Sequence, residues 1–162
     1  MFAAIALAVA SITSSEVMFD DCSLSELAKT STHVVLAAKA KPTSMNKLGQ
    51  IDSRTSRPFP YLAERWKVLK TLKSPDGSPS IDTIQVLQAD ENTLESLAAE
   101  GKTKSFSVRI FRDGRKVSMG RDTLILFLGE PNNRGEFSYS AMFATLPPLQ
   151  ESKIRPLLAR TP

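Results

Sequence analysis

Few side chains in this sequence could do covalent chemistry. The chain of 162 residues has one histidine, His33, and one cysteine, Cys22. A serine–histidine–acid triad would have to use His33. That residue opens an apolar stretch and has no partner at a recognisable spacing. Cys22 and His33 could meet as a thiol–imidazole pair, but a helix-length segment separates them and the spacing specifies nothing. A zinc site needs at least three His, Cys or carboxylate ligands, and the soft ligands are missing. No Walker loop and no G-x-G-x-x-G occurs. Asp20-Asp21 and Asp90-Glu91 are acidic pairs that read as solvated helix starts, where carboxylates complement the helix dipole. The sequence therefore reads as a non-enzyme with no catalytic residue, no metal and no cofactor.

Its candidate chemistry is that of binding. Asp113-Gly114 has the composition of a type I′ turn. A hairpin built on it places Ile110 opposite Val117 and Val108 opposite Met119 on one side. The other side carries Arg109, Phe111, Lys116 and Ser118. The ribbon 105–121 thus gathers Arg109, Phe111, Arg112, Arg115, Lys116 and Arg121 as a candidate surface. Single-strand nucleic-acid binders combine cationic grooves with aromatic platforms, and an outward Phe111 would be such a platform. The bland alternative is a solvated hairpin with one exposed Phe.

These residues need a scaffold. The length suits one domain, and a chain of roughly 150 residues buries about 68–70% of its unfolded surface without a metal or disulfide. Lys and Arg number 21 against 17 for Asp and Glu, a net charge of +4. The charges are interspersed, so the mild basicity serves solubility as readily as an anionic partner. With no second cysteine there is no internal disulfide; Cys22 reads as a small half-buried hydrophobe, with a free thiol or a pairing to a second chain as the alternatives.

Residues 2–10 carry no charge, and Ala8-Val9-Ala10 before Ser11 fits a signal-peptidase site. The run is too short to span a bilayer, which takes about 20 apolar residues. No basic residue precedes it, so a buried N-terminal element is the competing reading. Export to the periplasm or outside the cell is the expectation, with residues 1–10 as the signal and 11–162 as the domain. A cytoplasmic chain is the alternative. No other stretch could cross a membrane.

Ser23-Leu24-Ser25-Glu26 fits a capping box opening a helix over 23–30. A buried strand follows from His33 to Ala38. Residues 41–60 hold Pro42, Gly49, Pro58 and Pro60 and read as the longest loop. Tyr61 to Lys73 reads as a long strand with Leu62, Trp66, Val68 and Leu72 on one face, interrupted by Leu69. Ser74-Pro75-Asp76-Gly77 is a turn. Ile81 to Ala89 is a strand, with Ile84 and Val86 on one face. Asn92 to Glu100 is a short helix closed by Gly101. Thr123 to Leu128 is a central strand, apolar on both faces. Residues 129–135 form a polar loop. Phe137, Tyr139 and Ala141 alternate with serines as a half-buried strand. Gln150 to Arg160 is a closing helix limited by Pro156. About seven mostly sequential strands predict a mainly β fold with short flanking helices, a single small antiparallel barrel.

The order of these features resembles the netrin-like module. A capped helix with its cysteine is followed by the His33–Ala38 strand. Then come Val68-Leu69-Lys70-Thr71-Leu72-Lys73, Met119-Gly120 and Leu124-Ile125-Leu126-Phe127-Leu128. That module is the oligonucleotide/oligosaccharide-binding (OB) type of barrel shared with the tissue inhibitors of metalloproteinases. The resemblance covers about residues 22–143, rests on core strands and implies an OB-like barrel. The inhibitors' zinc-chelating N-terminal cysteine has no counterpart, because Cys22 lies beyond the expected cleavage point and has no disulfide partner. The leading expectation is an exported binding or inhibitory module with a protein partner, acting through loops 41–60 and 129–135 at one barrel end. The alternatives are a nucleic-acid-binding barrel using the basic hairpin, and an envelope-associated structural protein with its basic face on anionic lipid.

Overall fold

The computed structural model describes residues 17–49, 59–88, 106–118 and 120–159. The segments expected as export signal (1–10) and as helix (92–100) lie outside the described residues, as does the acidic pair Asp90-Glu91. In chain order the elements are β1 (Val17–Asp21), α1 (Leu24–Thr30), β2 (His33–Gly49), β3 (Phe59–Lys73) and β4 (Thr83–Gln88). They continue with β5 (Phe106–Ile110), α2 (Arg112–Ser118), β6 (Thr123–Leu128), β7 (Phe137–Ser138), β8 (Thr145–Leu146), a 3-10 turn (Pro148–Gln150) and α3 (Glu151–Leu158).

The capping box forms as the sequence implies. The Ser23 N–H donates to Glu26 Oε2 at 2.7 Å, and the Glu26 N–H donates to Ser23 Oγ at 3.2 Å. The Ser23 N–H, together with the Ser23 hydroxyl that donates to the same Oε2 at 2.8 Å, holds the Glu26 carboxyl below its ordinary range. At the other end of α1, the Ser31 N–H closes on the Leu27 carbonyl.

Six strands form one curled, half-barrel sheet in the order β7-β4-β3-β2-β6-β8. Pairing is antiparallel except between β4 and β7, and β1 pairs in parallel with β5 as a separate two-stranded sheet. Both parallel pairs join strands distant in sequence, which the expected run of mostly sequential antiparallel strands does not contain. The curl is visible in the packing: Phe137 of β7 and Leu128 of β6 share a cluster with Val35, Trp66, Ile84 and Val86. This inner core holds Trp66, 1% exposed, as its largest side chain. The outer face carries Val34, Ile125 and Phe127, covered by Leu27 of α1, Phe111 and Ile154 of α3. Thr123–Leu128 is apolar on both faces because both faces are packed, as a central strand requires.

Two irregularities in the β2–β3 register decide which way β3 faces. Val34 and Val35 pair with Lys73 and Thr71, skipping Leu72; Leu36 and Ala37 pair with Lys70 and Val68, skipping Leu69. An extra residue in one strand inverts the alternation beyond it. Val68 accordingly packs in the inner core, whereas Leu72 packs in the outer one, not on the Trp66 face as expected. Leu69, the interruption in the sequence pattern, is 53% exposed.

The 41–60 loop is corrected at both ends. β2 runs on to Gly49 and β3 begins at Phe59, with Ser44–Gly49 paired against Glu64–Phe59. Between the Lys39–Trp66 and Ser44–Glu64 pairs, residues 40–43 stand against Arg65 alone. Pro42 falls in that interruption, where its missing N–H breaks no ladder bond. Residues 50–58 lie outside the described residues.

The hairpin at Asp113-Gly114 is also corrected. These residues lie inside helix α2, and β5 pairs with β1 rather than with a strand downstream. A Cβ on Gly114 would overlap the Phe143 carbonyl oxygen and stand 2.8 Å from that of Thr145. Glycine is therefore there for close packing, not for a turn.

Candidate functional site

The described residues of the expected basic surface come together only in part. Arg112, Arg115 and Lys116 lie on α2 at i, i+3 and i+4, which sets them on one helix face. Arg112 pairs with Asp21, and the Arg115 guanidinium stands 5.2 Å from the Phe143 ring centroid. Arg121 donates to the Val117 carbonyl at 3.0 Å. Arg109 lies on β5 and donates to Thr30 Oγ1 at 3.3 Å. Phe111 is 4% exposed and packs in the outer core. It provides no stacking platform, because its residue leads into a helix whose Phe111, Gly114 and Val117 face inward at three-residue spacing. That spacing was the available sign of a helix, and the Asp-Gly pair masked it.

Cys22 and His33 are held on different sides of the sheet. Cys22 packs with Val34 in the outer core, where burial raises its thiol pKa and the nearby Arg109 opposes the rise. His33 is buried on the inner side, edge-on to Phe137 at 5.1 Å between ring centroids. Its Nδ1 lies 3.0 Å from Thr32 Oγ1, which fixes the ring. The structure therefore forms no thiol–imidazole pair from the two. Among the described residues no group of three His, Cys, Asp or Glu is placed to hold a metal.

The two loops expected at one end also separate. His33, at the start of β2, pairs with Leu128 at the end of β6. Loop 129–135 therefore leaves from the start of β2, while Gly49, which leads into 50–58, is its far end.

At the His33 end the half-barrel opens into a cleft of about 290 Å³. Its walls are apolar: Val35 from β2, Val68 from β3, Ile84 from β4, Leu128 from β6 and Phe137 from β7. Its rim is polar but uncharged, formed by His33, Thr71, Ser74, Ser78 and Ser80, with Pro79 and Ile81 beside them. The bulge at Leu69 turns Thr71 toward this cleft. Gly77, at φ 77°, supplies the left-handed residue that the turn before Ser78 requires. Among the described residues no Asp, Glu, Lys or Arg lines the cleft. Sequence reasoning missed it because its residues come from five strands and a loop, with no local motif.

Deeper in the half-barrel two polar side chains meet. Tyr139 donates to Glu64 Oε2 at 3.1 Å, and burial, followed by the Glu64 charge, pushes the Tyr139 hydroxyl well above its ordinary pKa. The Trp66 indole N–H is buried without a hydrogen-bond partner. Lys39 Nζ stands 5.6 Å from the centroid of that ring.

Comparison with family models and with curated proteins found no match for this chain. Its function is therefore argued from the site.

Proposed function

We propose that this chain is a non-enzymatic binding module on an OB-like barrel, exported by its first residues, which engages a protein partner through the cleft at the start of β2. The observation that carries the reading is the cleft: an apolar floor, neutral hydroxyls at the lip and, among the described residues, no charged lining side chain. Such a composition suits desolvated contact with a protein better than contact with phosphates.

OB-like closure is supported by residues 137–140. Phe137 and Ser138 pair with β4, while Tyr139 bridges to Leu128, the Gly129 N–H donates to the Ser138 carbonyl, and the Ser140 N–H donates to that of Phe127. The segment thus joins β4 to β6, strands not adjacent in the sheet order. Closure of the half-barrel through such a segment is what the netrin-like resemblance implies. That resemblance concerns architecture and does not name the partner.

The test uses the full chain produced with its N-terminus intact. Intact mass after fractionation should give a chain beginning at Ser11, outside the cytoplasm. Crosslinking in the native compartment should then capture a complex that Ser80→Arg abolishes and Lys116→Glu leaves intact. The opposite pattern, with oligonucleotide affinity falling steeply with salt, would make the basic face of α2 the site and overturn the reading.

A further inference from the structure

The cleft also restricts what can occupy it. Its volume of about 290 Å³ lies at the lower edge of ligand pockets, which run from about 300 to 1,000 Å³. It has room for one ring system and its immediate substituents, not for a chain of sugars or bases.

Charge narrows the choice. Among the described residues, His33 is the only titratable one in the lining. A carboxylate, phosphate or ammonium entering between Val35, Val68, Ile84 and Leu128 would give up its water with no opposite charge to replace it, which is strongly unfavourable. The occupant is therefore neutral.

Shape and polarity narrow it further. His33 stands edge-on to Phe137 with their planes 76° apart. A third aromatic ring can join this pair edge-to-face or offset, the arrangements that aromatic quadrupoles favour. Above the apolar walls sit neutral donor–acceptors: the hydroxyls of Thr71, Ser74, Ser78 and Ser80. Among the described residues, none of these hydroxyls is engaged by another side chain. An occupant with an apolar ring and one polar tip satisfies both zones. Tyr and Trp side chains have that form, and they anchor protein interfaces out of proportion to their number. Ser74, Pro79 and Ser80 at the lip are exposed and small, so a partner's backbone can approach closely enough to insert a side chain.

We propose that the cleft is the seat of a single uncharged aromatic side chain, tyrosine or tryptophan, presented by the protein partner. The inference rests on the binding reading above and adds the chemistry of the anchor.

The probe is p-cresol, the side chain of tyrosine, with p-cresyl phosphate as a charged counterpart carrying the same ring. The isotope-labelled full chain is titrated with each, and backbone amide shifts are followed. Saturable shifts at His33, Ser80 and Ile81 with p-cresol, and binding at least about tenfold weaker for the phosphate ester, support the proposal. Ile81→Trp should fill the cleft and abolish the p-cresol shifts. Ser80→Trp, at an exposed lip position, makes the same test if the first variant does not fold. Equal binding of both probes, or p-cresol shifts centred on α2, overturns it. If p-cresol does not bind while Ser80→Arg still abolishes the partner complex, the anchor chemistry is wrong and the mouth remains the interface. If Ser80→Arg leaves the complex intact as well, both readings fall.

Discussion

Gly114→Ala separates a helix at residues 112–118 from the hairpin that the sequence suggests. At an unhindered helix position, replacing Gly with Ala gains about 1 kcal/mol. Here the new methyl would overlap the Phe143 carbonyl oxygen, lie 2.8 Å from that of Thr145 and 2.9 Å from Phe111 Cδ1. Two of these three atoms are backbone, so no rotamer change relieves them. The 143–145 segment would have to retreat from α2, loosening Phe111 in the outer core and Arg115 over Phe143. Phe143 is already held at φ 58°, unusual for a bulky residue. Overpacking of this kind costs about 1–3 kcal/mol, so the helical gain is overwhelmed. The assay is urea unfolding of the variant beside Asp113→Ala, with equal m-values required before the midpoints are compared. In a chain of this size the Tm should fall by roughly 2–4 °C per kcal/mol. Asp113 is exposed in the first turn of α2, so its replacement should cost less than about 1 kcal/mol. In a type I′ turn both residues have positive φ, and alanine would cost about 1–2 kcal/mol at either. A neutral or stabilising Gly114→Ala, or an Asp113→Ala equally costly, would refute the packing argument.

Two further outcomes follow from the inner core. Trp66→Ala should cost about 3–5 kcal/mol through the cavity it leaves, while Trp66→Phe should cost clearly less because it also removes the orphan indole donor; denaturant midpoints decide, and equal costs would mean that the N–H is satisfied in solution. Tyr139 has its pKa raised in the folded state, so its contribution to stability is complete below about pH 10, the unfolded value, and is lost as pH rises through the folded value. Phenolate absorbance should show Tyr139 ionising later than a free tyrosine, with Glu64→Gln bringing its titration down; an ordinary titration for both tyrosines would contradict the buried pair.

Legibility in the sequence followed how local each determinant is. The capping box of α1, the doubly apolar β6 and the polar 129–135 loop are local patterns, and each forms where the residues imply. Leu69 was visible as a fault in the alternation of β3, but only the pairing with β2 shows that it is a bulge that sends Leu72 to the outer core. Pro42 looked like a loop residue because a proline inside a strand is tolerated only at an interruption, which no local pattern reveals. Asp113-Gly114 carried the composition of a turn while serving as the flat side of a helix, and with it went the supposed exposure of Phe111. The cleft was illegible for the same reason as the parallel pairs: its parts lie far apart in sequence.

The way the chain closes also governs when it can fold. β1 at residues 17–21 awaits β5 at 106–110, and β4 awaits residues 137–138. The buried Leu27 of α1 shares its core with Ile154 of α3, near the other end of the chain. During synthesis the outer face of β2 therefore waits for Phe111 and Ile154, and the half-barrel stays incomplete until residues 137–138 and α3 have emerged. Pairings so distant fold slowly, since the loops between them must be closed before any contact rewards it. Removing even α3 from the C-terminus would uncover the outer core rather than trim a tail, so shortened versions of this protein should aggregate instead of behaving as smaller domains.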